Sequence, residues 1–388
     1  MNAELKMKTL MFACCLAAAV LSETCAATPA KVCVFAGNGP RSNGACEYMR
    51  LVASSPEMEL TLVDAQMIRD GALDGHDLLV VPGGSTIAEK KDLGPSGAER
   101  IKAFVRNGGG YLGSCAGCCL LMDETANPER GIGIIPYRRA GARRKRYMMP
   151  VRVNEKGARA LGIEAKSYAA RYYGGPVLVR TTNVVEGASF EIWGTYGEDF
   201  GEPGTLPEMY GRGAMVGGTF GKGRVFGFAV HPENYRSSRE LLRGAFRYVL
   251  GRDVTFPERP RKAGALVVGW MSSGIAGVEP SRTMLAVDGM EGVDLFPVTG
   301  SEIGRNMLDH VDVLVVPDGD EYATRKGLEG LEGDLAAFVA RGGKVIGWGA
   351  GARVGVTGLR AFASADEVLA EIRRQHYGII PNRCESGK

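Results

Sequence analysis

Residues 108–121 read Gly-Gly-Gly-Tyr-Leu-Gly-Ser-Cys-Ala-Gly-Cys-Cys-Leu-Leu: a short apolar strand runs into a turn that carries Cys115, and a helix follows at once. Gly113 and Gly117 stand two residues either side of the thiol, where a side chain would collide with the neighbouring strand or helix if the nucleophile is held in a strained backbone conformation. That is the pattern of a nucleophile elbow. A thiol at a helix N-terminus feels the positive end of the macrodipole, which is expected to lower its pKa from about 8.5 and raise the thiolate fraction near neutral pH.

The partner for such a thiol lies downstream, in Gly-Arg-Val-Phe-Gly-Phe-Ala-Val-His-Pro-Glu at 223–233. A β-branched and aromatic run ends on His231, with Glu233 two residues on and Pro232 fixing the backbone between them. Base and orienting carboxylate can then leave one strand end together and reach one thiol. The chain has four histidines. His76 and His310 precede apolar strands, and His376 lies in the C-terminal tail, each without a carboxylate in this arrangement. Cys115-Ala-Gly-Cys118 also reads as C-x-x-C, a redox pattern. The glycine-flanked turn and the separate His-x-Glu favour the elbow, with Cys118 and Cys119 as small apolar residues on the inner face of the helix.

Together, the G-x-C-x-G turn, the upstream Val80-Val-Pro-Gly-Gly84 loop and His231-Pro-Glu233 resemble the class I glutamine amidotransferase-like superfamily. More narrowly, Gly-Gly-Gly-Tyr-Leu-Gly-Ser-Cys-Ala-Gly with Tyr-Tyr-Gly-Gly-Pro at 172–176 is similar to the amidotransferase-like domain at the N-terminus of biotin-protein ligases. The similarity covers roughly residues 30–250. It implies an α/β fold, a flavodoxin-like doubly wound and mostly parallel sheet, with Cys115 as nucleophile, His231 as base and Glu233 orienting it. No ligase catalytic domain follows, so biotinylation is not implied.

The order of elements agrees with such a sheet. Strands are expected at 31–35, 60–63 and 77–82, the last continuously apolar as a strand buried on both faces should be. A helix is expected around 45–53, and Ser96-x-x-Glu99 reads as the capping box of another through Ile101, Phe104 and Val105. Gly83 and Gly84 close the third strand at its carboxyl end, where open α/β sheets bind ligands. The Gly84 and Ala116 amides are therefore the expected oxyanion hole. Short strands at 151–153, 177–180, 214–219 and 224–230 form a meander that ends on His231, and a helix over 238–249 closes the domain. Gly83, Tyr173 and Gly174 are further candidates for lining the site. The basic segment Arg138, Arg139, Arg143, Arg144, Lys145 and Arg146 reads either as a solvated insertion or as a surface for an anionic substrate or envelope polymer.

Residues 251–262, with Pro257 and Pro260 among charged side chains, read as a linker, and beyond it the pattern repeats. Asp312-Val-Leu-Val-Val-Pro-Asp-Gly matches Asp77-Leu-Leu-Val-Val-Pro-Gly-Gly. Likewise Ala337-Phe-Val-Ala-Arg-Gly-Gly-Lys-Val-Ile-Gly-Trp-Gly-Ala-Gly matches the run from Ala103 to Gly117. Gly349 stands where Cys115 stands and no His-x-Glu follows, so residues 263–388 are expected to be a degenerate copy without the chemistry. It is expected to pack against the first domain and help wall the site of Cys115.

At 388 residues the chain is long enough for two or three domains of about 150 residues. A mean hydropathy of −0.06 excludes a polytopic membrane protein, and a net charge of +3 is too small to argue for a nucleic-acid partner. Residues 1–27 differ from the rest: Lys6 and Lys8 precede an apolar run over 10–21 of signal-peptide length, and Cys25, Ala26 and Ala27 offer a cleavage site. The expectation is a secreted or periplasmic protein with no membrane span after cleavage. Lipidation at Cys25 is disfavoured by Glu23, and a buried N-terminal helix by the missing amphipathic period. The spacing of the nine cysteines is not that of a disulfide scaffold. Two function classes remain. One is an exported cysteine amidohydrolase or amide-transfer enzyme acting on a small-molecule or peptide-like amide, needing neither metal nor organic cofactor. The other is a binding or scaffold protein on the same fold.

Overall fold

The computed structural model describes residues 28–39, 42–141, 146–198, 208–260 and 263–384. The signal-peptide reading of residues 1–27 and most of the basic run at 142–145 fall outside them. The N-terminal half begins with β1 (Ala30–Phe35), α1 (Asn43–Ser54), β2 (Met58–Val63), α2 (Ala65–Arg69), β3 (Leu78–Val81), α3 (Thr86–Arg106), β4 (Gly110–Ser114) and α4 (Ala116–Leu120). It continues through β5 (Tyr137–Arg139), β6 (Arg146–Val153), α5 (Glu155–Leu161), β7 (Ser167–Tyr173), β8 (Leu178–Arg180), β9 (Ala188–Tyr196), β10 (Gly213–Phe220), β11 (Gly223–Phe228) and α6 (Arg239–Leu250).

The strand order is β2-β1-β3-β4-β11-β10-β9-β6-β7. The first five strands are parallel, in the flavodoxin-like order, and the last four add an antiparallel extension. Sequence period decides the two faces. Val32, Val34, Leu78, Val80 and Leu112 enter one apolar core, while Cys33, Phe35, Leu79, Val81 and Tyr111 enter the core on the other side. A strand apolar at every position must be covered twice, and it is.

Two expectations change in detail. The helix read from Ser96 begins at Thr86 instead, capped by Ser85, whose hydroxyl accepts from the Ala88 amide at 3.4 Å. Its axis breaks at Gly94, where φ is 61° and Pro95 follows, so the expected start is an internal kink. The meander also holds more strands than expected. β7 and β9 join it, although Ala-Ser-Phe-Glu-Ile-Trp-Gly-Thr-Tyr over β9 has a legible alternation.

The C-terminal half contains β12 (Leu266–Met271), α7 (Val278–Asp288), β13 (Val293–Val298), α8 (Gly300–Ile303), β14 (Val313–Val316), α9 (Glu321–Leu328), α10 (Glu332–Ala340), β15 (Lys344–Trp348), β16 (Leu359–Phe362) and α11 (Ala365–Cys384). Its five strands are all parallel in the order β13-β12-β14-β15-β16, the same winding as the first sheet. The repeat read in the sequence is a repeat of the fold.

The two halves share a core. Trp270, Met284, Val287 and Trp348 belong to the same apolar cluster as Tyr48, Met49 and Val52 of α1, which packs against α7 and β13. Polar contacts pin the junction: the Asn43 amide donates to both oxygens of Glu302 at 3.0 and 2.8 Å, Ser272 Oγ donates to Asn43 Oδ1 at 2.5 Å, and the Gly277 amide donates to the Ala36 carbonyl at 2.7 Å. Arg50 Nε reaches Asp288 at 3.0 Å in a nearly buried ion pair. Among the described residues no helix is long and apolar enough to cross a membrane.

Candidate active site

Cys115 is one of two non-glycine residues with positive φ among the described residues, at φ 50° and ψ −99°. The glycines around it make this turn possible. A Cβ at Gly113 would lie 2.5 Å from the Gly117 carbonyl, and one at Gly117 would lie 2.0 Å from the Val81 carbonyl. The turn is tied to β11 by the Cys115 amide, which donates to the Phe228 carbonyl at 2.7 Å. Because β11 lies parallel beside β4, the chain leaving β11 carries His231 across the same sheet end.

The structure brings Cys115, His231 and Glu233 together. The thiol and the imidazole share a hydrogen bond, and His231 Nδ1 lies 2.8 Å from Glu233 Oε1. His231 is 4% exposed and Glu233 is fully buried. Burial opposes charge on the imidazole, but the Cys115 sulfur, the Glu233 carboxylate and the hydrogen bonds to both outweigh it and raise the His231 pKa to about 10. The main chain of His231 is fixed independently, its amide donating to the Arg171 carbonyl of β7 at 2.7 Å. The sulfur also lies 3.7 Å from the Tyr173 carbonyl, to which it donates.

Behind the carboxylate is a layer that sequence reading did not find. Ser114 Oγ donates to Glu233 Oε2 at 3.3 Å, and Tyr48 OH lies 2.5 Å from Ser114 Oγ. The first turn of α1 presses on the same group, since a Cβ at Gly44 would lie 2.1 Å from Glu233 Oε1. Ser114 precedes the nucleophile on a buried strand, so its hydroxyl needed a partner. That signal was available, whereas Tyr48 is placed only by helix packing.

Gly84, Ala116, Tyr173 and Gly174 line the cavity of about 460 Å³ above Cys115 and His231, together with Ser42, Arg130 and Arg139. Gly83 touches both catalytic candidates: a Cβ there would lie 2.4 Å from His231 Cε1 and 3.2 Å from Cys115 Cβ. Tyr172 turns away into the core, its hydroxyl donating to the Gly175 carbonyl at 3.1 Å. Of the basic segment, Arg139 lines the cavity and Arg138 points outward on β5. Among the described residues none of the C-terminal half lines this cavity, which corrects the expectation that the second copy walls the site directly. It lines the adjoining one. The helix after the elbow spans five residues, so a long helix dipole does not act on the thiol.

Four other thiols are poor nucleophiles. Burial pushes Cys33, Cys46 and Cys119 up to about 12 and Cys118 well above its usual value. Cys33, Cys46, Cys115, Cys118 and Cys119 are all free, which leaves the C-x-x-C pair as thiols. Among the described residues no group of three or more His, Cys, Asp or Glu could hold a metal ion.

The second copy shows what its elbow has become. Gly349 keeps the positive φ, at 53°, and Gly351 keeps the close approach, with a Cβ 2.1 Å from the Val316 carbonyl. Asp318, which stands at the position of Gly83, fills the place of the nucleophile: a Cβ on Gly349 would lie 2.2 Å from its Cγ. Asp318 Oδ1 accepts from the Gly319 amide at 2.9 Å and the Ala350 amide at 2.6 Å. These are the counterparts of Gly84 and Ala116. One anionic oxygen bridges both amides.

No match is found among curated proteins. Among solved structures, a ThuA-like protein from Bacteroides uniformis aligns at 13% identity over 60% of this chain and 96% of that one, with a TM-score of 0.43. A ThuA-like protein from Parabacteroides merdae aligns at 14% over 60% and 94%, with a TM-score of 0.41. A β-galactosidase from Rahnella sp. R3 aligns at 21% over 55% of this chain, with a TM-score of 0.37, and the chain spans only 31% of its length. At these scores the fold assignment rests on the strand order itself. The stretch from β1 through the elbow, residues 30–121, matches the family model described as biotin-protein ligase, N terminal. These residues thus carry the sequence pattern of the biotin-protein ligase N-terminal family, on a sheet with the flavodoxin-like strand order.

Proposed function

We propose that the protein is a cysteine-dependent amidohydrolase or amide-transfer enzyme working by acyl transfer. The observation that supports this most is the strained Cys115, at φ 50°, hydrogen-bonded to His231, which is itself 2.8 Å from the buried Glu233. In this reading the Cys115 sulfur attacks the carbonyl carbon of an amide and a C–S bond forms. The amides of Gly84 and Ala116 hold the oxygen as it becomes anionic, a role supported by the way Asp318 Oδ1 bridges their counterparts. His231 gives its proton to the leaving nitrogen as the C–N bond breaks, leaving a thioester and a free amine. Water then attacks the thioester and His231 takes the water proton. Cleavage of the C–S bond then releases a carboxylic acid, and His231 returns the proton to sulfur to restore the thiol, while an amine attacking in place of water gives transfer.

Arg139, with no ion-pair partner among the described residues, suits a substrate with an anionic group near the reacting amide. Export belongs to the same proposal and rests on Lys6, Lys8 and the apolar run over 10–21. The reading is tested by treating the purified protein with a thiol-reactive amide mimic and mapping the adduct by mass spectrometry. Labelling is expected at Cys115 and is expected to vanish in Cys115→Ala; a probe that prefers Cys33 or Cys46 in the folded protein refutes the reading. A scaffold role has one observation in its favour, the filled elbow of the second copy, but the first elbow is open to a cavity and keeps its base.

A further inference from the structure

A second cavity, of about 640 Å³, lies between the two halves and adjoins the first: Ser42 and Tyr173 line both. Tyr173 stands at the junction, its side chain 45% exposed while its carbonyl accepts from the Cys115 thiol. From the N-terminal half the cavity takes Arg171; from the C-terminal half it takes Ser301, Arg305, Tyr322 and Lys326, among others. Three cations thus face Glu329, the single carboxylate of the lining. Arg171 lies 3.7 Å from Glu302, Lys326 pairs with Glu329, and Arg305 has no ion-pair partner among the described residues. Hydroxyls of serine, threonine and tyrosine make up much of the remaining polar lining. Clefts that combine one sign of charge with hydrogen-bonding groups concentrate ligands of the opposite sign, and interfaces between structural units are favoured places for them.

We infer that this cavity is a subsite for the anionic portion of an extended amide substrate, so that the second copy of the fold acts as a specificity element for the site on the first. The inference rests on the acyl-transfer reading. The substrate class is an amide with one or more carboxylates several bonds from its reacting carbonyl. The carbonyl sits over Cys115, the chain passes Ser42 and Tyr173, and the carboxylates meet Arg305 and Lys326. A long neutral amide leaves Arg305 unpaired and Lys326 with Glu329 alone, and gains nothing from either. This also gives the C-terminal half a reason to be held rigidly by Asn43, Glu302 and Ser272: its cations must keep a fixed distance from a nucleophile on the other sheet.

The test compares two alkylating peptides on the full chain, chloroacetyl-Gly-Glu-Glu and chloroacetyl-Gly-Gln-Gln, with iodoacetamide as a small neutral control. At low salt the acidic reagent should modify Cys115 about tenfold faster than the neutral peptide. Arg305→Gln combined with Lys326→Gln should abolish that preference and leave the iodoacetamide rate unchanged. Equal rates in the wild-type chain overturn the subsite. So does a preference that survives in the double variant, which would place the anion site away from Arg305 and Lys326. If iodoacetamide itself fails to select Cys115, the acyl-transfer reading falls and the subsite with it, so the two failures are distinct. A measurement that needs no variant is protection: acetyl-Gly-Glu-Glu should shield wild-type Cys115 from iodoacetamide and acetyl-Gly-Gln-Gln should not, and equal shielding counts against the subsite.

Discussion

His231 sits between the Cys115 sulfur and the Glu233 carboxylate, and that has consequences for pH. Its folded pKa is raised to about 10 from the ordinary 6.5, so the stabilisation from its partners is fully present below about 6.5 and is lost as the pH rises through about 10. The interaction with the Cys115 sulfur is the largest of the raising influences. In Cys115→Ala the His231 titration should therefore move down by more than one unit, as followed by the imidazole proton resonances; an unchanged titration would show that the sulfur carries no charge beside it. His231→Ala should lower acyl-enzyme formation by about 10²- to 10⁴-fold, the usual worth of general acid–base catalysis. Glu233→Gln should lose less, because the imidazole is also held by its main chain through Arg171. A His231→Ala chain that turns over like wild type would sink the catalytic role of the His-Pro-Glu segment.

Helix α1 is the element on which the site leans. Its first turn touches the Glu233 carboxylate at Gly44, and Tyr48, one turn on, reaches Ser114. Gly44→Ala should displace Glu233 and reduce the alkylation rate of Cys115 while the circular dichroism stays native; unaltered reactivity would mean that α1 does not position the carboxylate. The elbow itself tolerates less. In Gly117→Ala the new methyl would meet the Val81 carbonyl at 2.0 Å, backbone that cannot swing aside, so a loss of about 1–3 kcal/mol in stability is expected from denaturant unfolding. A Gly117→Ala protein as stable as wild type would show that β3 and α4 are not in close contact.

For the whole molecule the shared core decides what can be removed. Ending the chain at Arg252 would bare the face of α1 that meets α7 and leave Asn43 without Glu302 and Ser272. Such a chain is expected to aggregate or to melt well below the full protein in a thermal scan. One that stayed soluble, equally stable and equally reactive at Cys115 would contradict the shared core. Restoring a thiol in the second copy should give no second site. The Gly349→Cys side chain would collide with Asp318, which already occupies both amides, and no base is at hand. Active-site titration of this variant should count one reactive thiol per chain.

The features legible in the sequence were those set by local steric rules and by period. The glycines flanking Cys115, the doubly apolar Leu78–Val81 strand and the matching runs around Val313–Val316 announced the winding of both sheets, because each rule acts within a few residues along the chain. His231 and Glu233 were singled out the same way, as a candidate base and carboxylate two residues apart at the end of a strand. Tertiary structure decided what depends on the parallel pairing of β4 with β11 and on the docking of two sheets. It set the reach from Cys115 to His231, the support of Glu233 by Tyr48 through Ser114, and the placing of Arg305 and Lys326 in a cavity that adjoins the one over a thiol of the other half. Those residues are far apart in the chain and bear no mark of one another, since a contact across two sheets is fixed by the burial of the whole apolar face rather than by the side chains that happen to meet there.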